Sequence, residues 1–249
     1  MVTLTNGWSV DDAHVIEALR DADMQDARLI YEGSNYVFLA TLRHPEHGEG
    51  LGVYKPAAGE QPLMDFPGGT LYRREVAAYE FARLLGWHIV PPTVAREGPQ
   101  GVGSLQLFVE HSPAQHYFSF REEPALAQQL IRIAAFDLMM NNADRKGGHL
   151  LLDAQERLWC IDNALCFHHH FKLRTVIWDF AGTELPEQWV ADMERVGGCL
   201  AAGEEAAEAL KSCLTEPELA ALISRCEELA ATPVLPEMFP YRCTPWPLI

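Results

Sequence analysis

The alternation of hydrophobic and polar residues changes character near the middle of the chain. In the first part, short runs rich in β-branched and aromatic residues alternate with polar turns, which is typical of antiparallel strands. The first three runs are close together and predict a meander. The four predicted strands are 28–31, 36–42, 51–55 and 104–110. His111-Ser112-Pro113 follows the last of them, and this break predicts a boundary between two parts of the chain.

Two helices are predicted among these strands. Helix-starting residues near Ser9 predict a short amphipathic helix at 9–22. A second helix is predicted at 71–86, where Gly86 ends it, and a short strand is expected before Pro91-Pro92. The first part therefore combines a small sheet with two helices.

The second part of the chain is dominated by helical patterns. A strongly apolar helix is predicted first, then a polar loop, two short strands, two or three helices and a proline-rich tail. These segments are 124–141, 142–149, 150–153, 158–161, 185–230 and 232–249. Five prolines in the tail predict an extended strap instead of a helix.

Composition and charge narrow the class of protein. The chain has 249 residues, 48% of them hydrophobic and 22% charged, which is enough for a sizeable core. Its formal net charge of -16 disfavours nucleic acid and anionic membrane as partners. The six cysteines form no CxxC pair, and we find neither a signal-peptide pattern nor an apolar stretch of about 20 residues. A cytoplasmic protein with free thiols is expected.

Lys55 and Glu75 form the first candidate pair. Glu75 shares a helical face with four apolar residues at steps of three and four, Leu71, Ala78, Ala82 and Leu85. A carboxylate on such a face is costly unless it is paired, and Lys55 at a strand end could pair it and also reach nucleotide phosphates. The alternative is that Glu75 lies at the edge of the face in water and that Lys55 is a surface lysine.

Two further carboxylates follow in the second part. Asp144 lies in the loop 142–149, whose two glycines and asparagine allow an unusual backbone path, and it could orient an attacking hydroxyl. Asp162 closes a predicted strand and could hold Mg²⁺ together with phosphates. Each could instead belong to a solvated turn. The order of all these segments is more specific than any one of them.

Three adjacent histidines, His168, His169 and His170, suggest a metal site at first sight. Adjacent side chains on a strand or helix point in different directions and rarely bind one ion together. We therefore favour a solvated or packed histidine cluster over a metalloprotein.

Three sequence blocks resemble the type II phosphatidylinositol 4-kinases and their bacterial relatives. The blocks are Ser104–Glu110, Asn142–Arg145 and Ile161–Phe167, and the resemblance runs from about Gly33 to about Phe167. It implies an α+β, two-lobed, protein-kinase-like fold. A small antiparallel-sheet N-lobe, residues 1–110, would cover the nucleotide, and a mostly helical C-lobe, residues 111–249, would carry the catalytic loop and the metal site.

The resemblance also implies a role for each matching residue. Gly33, Ser34 and Asn35 would form a reduced phosphate-covering turn, Lys55 would contact the phosphates and Glu75 would hold Lys55. The hinge around adenine would be formed by backbone groups of Phe108, Val109 and Glu110. Asp144 would be the catalytic carboxylate and Asp162 the metal ligand.

The chain also departs from the family pattern. His149 stands where the family usually has an asparagine, five residues after the catalytic aspartate. As a second metal contact, imidazole suits Mg²⁺ less well than an oxygen donor, so Mn²⁺ becomes a reasonable alternative. The cysteine-rich segment that eukaryotic members use for lipid attachment is absent from the sequence. This absence makes the hypothesis of a lipid substrate weaker.

The leading functional hypothesis is transfer of the ATP γ-phosphate to a hydroxyl of a protein or small-molecule acceptor. One alternative is an enzyme on the same fold that transfers AMP or activates a carboxylate. Another is a pseudokinase that binds nucleotide without turnover, which His149 and the sparse glycine turn favour.

Overall fold

The computed structural model describes residues 5–32 and 35–249. Within them, five antiparallel strands form one sheet, in the spatial order β1-β2-β3-β5-β4. The strands are β1 Asp23–Glu32, β2 Tyr36–His44, β3 Gly48–Pro56, β4 Thr93–Gly98 and β5 Gly101–Leu107. The meander of the first three is confirmed, and β3 pairs directly with β5.

The sheet differs from the prediction at one strand. A short strand was expected before Pro91-Pro92, but β4 begins after the prolines and pairs with β5 across a turn at Gly98–Gly101. Gly101 has a φ of 90°, a conformation that favours glycine. The two prolines therefore precede the edge strand, where a missing N–H costs no ladder bond.

Along the chain, one helix precedes the strands of the sheet, one lies between β3 and β4, and the others follow β5. The helices are α1 Val15–Asp21, α2 Leu71–Leu85, α3 Tyr117–Phe120, α4 Ala127–Met140, α5 Glu187–Ala202, α6 Glu208–Lys211 and α7 Glu216–Ala231. The predicted start of α1 near residue 9 is wrong. The Asp12 carboxylate accepts the N–H of Ser9 at 2.7 Å, so these residues close a turn before the helix begins.

Two hydrophobic cores organise the protein. One lies under the sheet and includes Trp8, Leu42 and Leu105, packed with α1. The other fills the helical half, and α2 contributes to it through Phe81, whose ring stacks on Phe136 at 5.4 Å. In sequence, helix α2 lies between strands β3 and β4. In space it packs into the core of the helical half, and these contacts hold it between the two parts of the protein.

The second half also contains a short β-hairpin and a final segment without helices. The hairpin consists of β6 Leu150–Leu152 and β7 Leu158–Cys160. After α7, residues 232–249 continue without a helix, as their prolines predict, and we call them the C-terminal tail. Among the described residues, no helix combines the length and apolar character needed to cross a membrane. The architecture is a two-lobed α+β fold.

Candidate active site between the sheet and the helical half

Lys55, near the end of β3, is the centre of a buried charge cluster. Its Nζ lies 2.5 Å from Oε1 of Glu75 on α2 and 3.0 Å from Oδ1 of Asp162. The Glu75 side chain is 3% exposed, so the alternative of a solvated carboxylate is excluded. Burial alone would lower the pKa of Lys55, but the two carboxylates together outweigh burial, so the pKa lies above the ordinary value. Lys55 is therefore a protonated cation at neutral pH.

Glu75 also connects to the backbone beyond β7. Its Oε2 accepts the N–H of Asn163 at 2.9 Å. Asp162, the preceding residue, has a φ of 55°, in the left-handed region that non-glycine residues seldom adopt. This turn of the backbone places the Asp162 carboxylate beside Lys55, at a sharp bend directly after the strand.

The Asp162 carboxylate is ionised and partly open to solvent. Burial would raise its pKa, but the charge and hydrogen bond of Lys55, together with the other nearby basic groups, lower it more, so the pKa is below the usual range. Its side chain is 42% exposed. An ionised, accessible carboxylate is a suitable ligand for a hard divalent cation.

His149 contacts the same carboxylate. Its Nε2 lies 3.2 Å from Oδ2 of Asp162, and its Nδ1 accepts the N–H of Lys146 at 3.3 Å. Burial lowers the pKa of His149 to about 4. At neutral pH the ring is therefore uncharged, with its proton on Nε2 directed at Asp162. Its role as a metal ligand stays a prediction, because both ring nitrogens already have protein partners.

Residues 142–149 form what we call the catalytic loop, and a buried ion pair fixes it. Arg145 is fully buried and donates to both oxygens of Asp137 on α4, at 2.9 to 3.1 Å. It also donates to Oδ1 of Asn163 and to the carbonyl of Ile161. One side chain thereby connects α4, the catalytic loop and the bend that carries Asp162.

Sequence reasoning gave Arg145 and Asp137 no role. A signal was present: Asp137 is the single charged residue in the apolar second half of α4, residues 133–140, and such an acid requires a buried partner. The identity of that partner could not be read from spacing.

Asp144 is oriented by its neighbours in the catalytic loop. Its N–H donates to Oδ1 of Asn142 at 3.0 Å, while Nδ2 of Asn142 donates to Asp137. Its carboxylate lies 2.9 Å from Nζ of Lys146. Burial raises the pKa of Asp144 above the ordinary value, although Lys146 opposes the change. Such a carboxylate is a better proton acceptor than a fully solvated one.

The predicted hinge is only partly free to bind a nucleotide. The N–H of Phe108 donates to the carbonyl of Leu51 at 3.0 Å, and its own carbonyl accepts Nδ2 of Asn6 at 2.7 Å. Val109 and Glu110 differ, since their N–H groups have no protein acceptor among residues 5–32 and 35–249. Backbone recognition at this hinge is thus restricted to the residues after Phe108.

The predicted phosphate-covering turn is visible only in part. Gly33 and Ser34 lie outside the described residues. Oδ1 of Asn35 accepts the N–H of Gln61 at 3.2 Å, and Asn35 forms an isolated bridge with Glu60. Asn35 therefore connects the start of β2 to the loop that precedes α2.

Two cavities differ in size and position. The cavity beside Lys55 and Glu75 is about 10 Å³, because the ion pairs fill the space. A cavity of about 340 Å³ lies elsewhere, between the hinge and the hairpin turn, and is lined by residues that include Trp8, Phe108 and Arg157. None of Lys55, Asp144 and Asp162 lines it. We place the chemistry with the charged groups and not with the larger cavity.

The histidine cluster packs as expected. His168 is buried and stacks on His169 with ring centres 4.5 Å apart, while His169 and His170 are exposed. A second cluster, Glu17, His44 and His47, brings its ligand atoms within 4.8 Å of one another. The rings of His44 and His47 are stacked with planes 16° apart, and Nδ1 of His44 accepts the N–H groups of Glu46 and His47, so it already has protein partners. We interpret both clusters as packing contacts.

The comparisons with known proteins agree with this geometry. The fold resembles that of hydra Fam20 with sugar, with a TM-score of 0.55, 16% identity and coverage of 92% of this chain and 91% of that chain. It also resembles the Helicobacter pylori proinflammatory kinase CtkA, with a TM-score of 0.52, 9% identity and coverage of 87% and 94%. These structures define the class as a kinase-like fold.

The sequence comparisons identify the family. The model of the family described as phosphatidylinositol 3- and 4-kinase matches residues 90–190. Protein Rv2133c of Mycobacterium tuberculosis is 36% identical over 95% of this chain and 95% of its own length. The chain belongs to the PI3/PI4-kinase-like family of atypical kinases.

Proposed function

We propose that this protein transfers the γ-phosphoryl group of ATP to a hydroxyl acceptor. The observation that carries the proposal is the meeting of Lys55, Glu75 and Asp162, which come from β3, α2 and the end of β7. Phosphoryl transfer depends mainly on positioned charges, and a buried cation beside an accessible carboxylate provides them. The family membership supports the same reaction class.

Each charged residue has a role in this reaction. Lys55 contacts the phosphates and is held in place by Glu75. Asp144 orients the acceptor hydroxyl and accepts its proton, which its raised pKa favours. The Asp162 carboxylate is the oxygen donor suited to hold the divalent cation that kinases use, which would offset the charge that develops on the phosphates. His149 orients the Asp162 carboxylate through its Nε2–H.

Nucleotide entry requires the cleft to open. The cavity of about 10 Å³ beside Lys55 is far smaller than the roughly 300 Å³ or more of ordinary ligand pockets. On binding, Lys55 would exchange its contact with Asp162 for phosphate oxygens. The free N–H groups of Val109 and Glu110 would receive adenine. We assign residues 1–110 to the lobe that covers the nucleotide and 111–249 to the lobe that carries the catalytic loop.

The test is identification of the product formed from ATP. Purified protein is incubated with ATP and either Mg²⁺ or Mn²⁺, and ADP, AMP and phosphate are separated. We expect ADP from the parent chain and a loss of about a hundredfold in Asp162→Asn and Asp144→Asn. Asp21→Asn, an exposed carboxylate at the end of α1, is the matched control and should keep the parent rate.

Two results would overturn the proposal. AMP as the product would indicate nucleotidyl transfer or carboxylate activation on the same fold. A thermal shift with ATP, without release of any product, would indicate a nucleotide-binding regulatory protein.

A further inference from the structure

The C-terminal tail runs along the segment that follows the histidine cluster and then returns to the catalytic loop. Near the start of the tail, the N–H of Leu185 donates to the carbonyl of Pro233 at 2.7 Å. Further along, the N–H of Thr175 donates to the carbonyl of Cys243 at 3.0 Å. The tail thus pairs through its backbone with the chain next to the site.

The last residues of the tail contact the catalytic loop itself. The N–H of Gly147 donates to the carbonyl of Leu248 at 2.7 Å, three residues after Asp144. A Cβ on Gly147 would lie 3.0 Å from the Phe118 ring and 3.4 Å from the Leu248 oxygen. The absence of a side chain at Gly147 therefore leaves room mainly for the Phe118 ring, while the Leu248 oxygen lies at an ordinary contact distance.

The end of the tail is held loosely. Cys243, at 4% exposure, and Pro245 are buried, whereas the last four side chains are exposed. Trp246, Leu248 and Ile249 are 79%, 41% and 59% exposed. Few buried apolar contacts and a hydrogen bond through the backbone are the features of a segment that opens at low free-energy cost. The end of the tail can leave without unfolding the helical core.

The sequence of this end is that of a backbone ligand. Pro245 and Pro247 have no N–H, so this stretch presents mainly carbonyl acceptors along a bent path. The catalytic loop supplies the complementary donor through Gly147. Another polypeptide with a carbonyl at the same position could form this bond.

We propose that the surface beside Asp144 is an acceptor groove for a polypeptide segment, and that residues 244–249 of the chain itself occupy it until an acceptor displaces them. The inference rests on the proposed function and names its acceptor class. The C-terminal tail then acts as a competitor in cis. A small soluble alcohol would not need to displace it to the same extent.

The proposal predicts a faster reaction with water when the groove is vacated. In this side reaction a water oxygen forms a bond to the γ-phosphorus, and the bond from that phosphorus to the β–γ bridging oxygen breaks. Asp144 takes the proton of the attacking water, and ADP and inorganic phosphate leave. Acceptor-free ADP release therefore reports on access to the groove.

Three variants test the inference. The first ends after Cys243, which keeps the buried cysteine and its backbone contacts. The second ends after Pro247, so it loses only Ile249 and Leu248, whose carbonyl accepts the Gly147 N–H. The third, Met238→Ser, is the control. Met238 is an exposed tail residue that lies ten positions before Leu248, the residue bonded to the catalytic loop. Each is assayed for ATP-induced thermal shift and for ADP release without acceptor.

We expect the first two variants to release ADP severalfold faster than the parent, with an unchanged thermal shift by ATP. A synthetic peptide of residues 243–249 should restore the slow rate of the chain that ends after Cys243, in competition with acceptor and not with ATP. If the chain that ends after Cys243 does not fold, the chain that ends after Pro247 decides.

The outcomes separate this inference from the proposed function. Equal rates in all variants, with normal ATP binding and no effect of the peptide, would contradict the groove and leave the kinase proposal intact. Failure of the parent chain to bind ATP would overturn the proposed function, and the groove with it.

Discussion

The carboxylate of Glu75 accepts the backbone N–H of Asn163 at 2.9 Å. Its other oxygen binds Lys55, so a single side chain joins helix α2, strand β3 and the bend that carries Asp162. The position of the cation and that of the candidate metal ligand are therefore coupled. A displacement of α2 would disturb both together, which makes Glu75 the most informative residue to change.

Glu75→Gln should separate charge from hydrogen bonding. The amide oxygen can still accept from Asn163, but Lys55 loses one of its two carboxylates. We expect ADP release to fall by about ten- to a hundredfold, because Lys55 is no longer held for phosphate contact. Steady-state rates measure this. Glu80→Gln, on the same helix and paired with Arg83, is the control, and equal losses in both variants would contradict the assigned role.

Asp137→Asn should destabilise the whole protein. The change leaves the fully buried Arg145 without its charged partner, and removing one member of such a pair costs about 3 kcal/mol. Urea unfolding measures the difference. Glu208→Gln breaks a mostly exposed pair with Lys211 and should change the free energy of unfolding by less than about 1 kcal/mol. If Asp137→Asn lowered the free energy of unfolding no more than Glu208→Gln does, the ion pair between Arg145 and Asp137 would not hold the catalytic loop in place.

Glu218 should give a pH-dependent contribution to stability. Burial would raise its pKa, but the N–H of Thr215 and the guanidinium of Arg74 lower it more, to below its usual value of 4.5. The unfolded chain therefore takes up this proton first, so the contribution is complete above pH 4.5 and is lost as the pH falls through the lower folded pKa.

Thermal unfolding of Glu218→Gln and the parent chain checks this dependence. The variant should be less stable at pH 7, and the difference should shrink as the pH falls below 4.5. A difference that stays constant from neutral to acidic pH would show that the side chain contributes by packing alone.

His149→Asn should change the preference between metal ions. Asparagine offers an oxygen donor at a position where the neutral imidazole directs an N–H at Asp162. Because Mg²⁺ prefers oxygen ligands, we expect the ratio of Mg²⁺-supported to Mn²⁺-supported ADP release to rise severalfold. Direct titration of Mn²⁺ binding in the presence of ATP provides a readout independent of turnover. An unchanged ratio and unchanged Mn²⁺ affinity would remove His149 from the metal site.

The sequence predicted the parts of the site that depend on local periodicity. The period of α2 placed Glu75 on an apolar face, and the strand pattern placed Lys55 at a strand end. Their pairing was one of two interpretations that spacing left open, and the ion pair decides between them. The meander and the apolar helix α4 came from the same kind of signal.

The features that were missed depend on long-range contacts. Arg145 finds Asp137, Asn163 and two backbone carbonyls at once, and no spacing along the chain specifies such a set. The bond between Gly147 and Leu248 joins backbone to backbone, so it leaves little trace in residue type. Strand β4 was missed because its two prolines were interpreted as the end of an element and not as the approach to an edge strand.

Hydrogen exchange with and without ATP and Mg²⁺ tests the central claim most directly. We expect ATP to protect fragments that cover residues 107–111 and 160–165, and Lys55→Met to abolish the protection, because the triphosphate lies between Lys55 and the two aspartates. Protection of residues 5–12, 107–110 and 153–157, which border the 340 Å³ cavity, without protection of residues 160–165 would contradict the account, as would the absence of any protection.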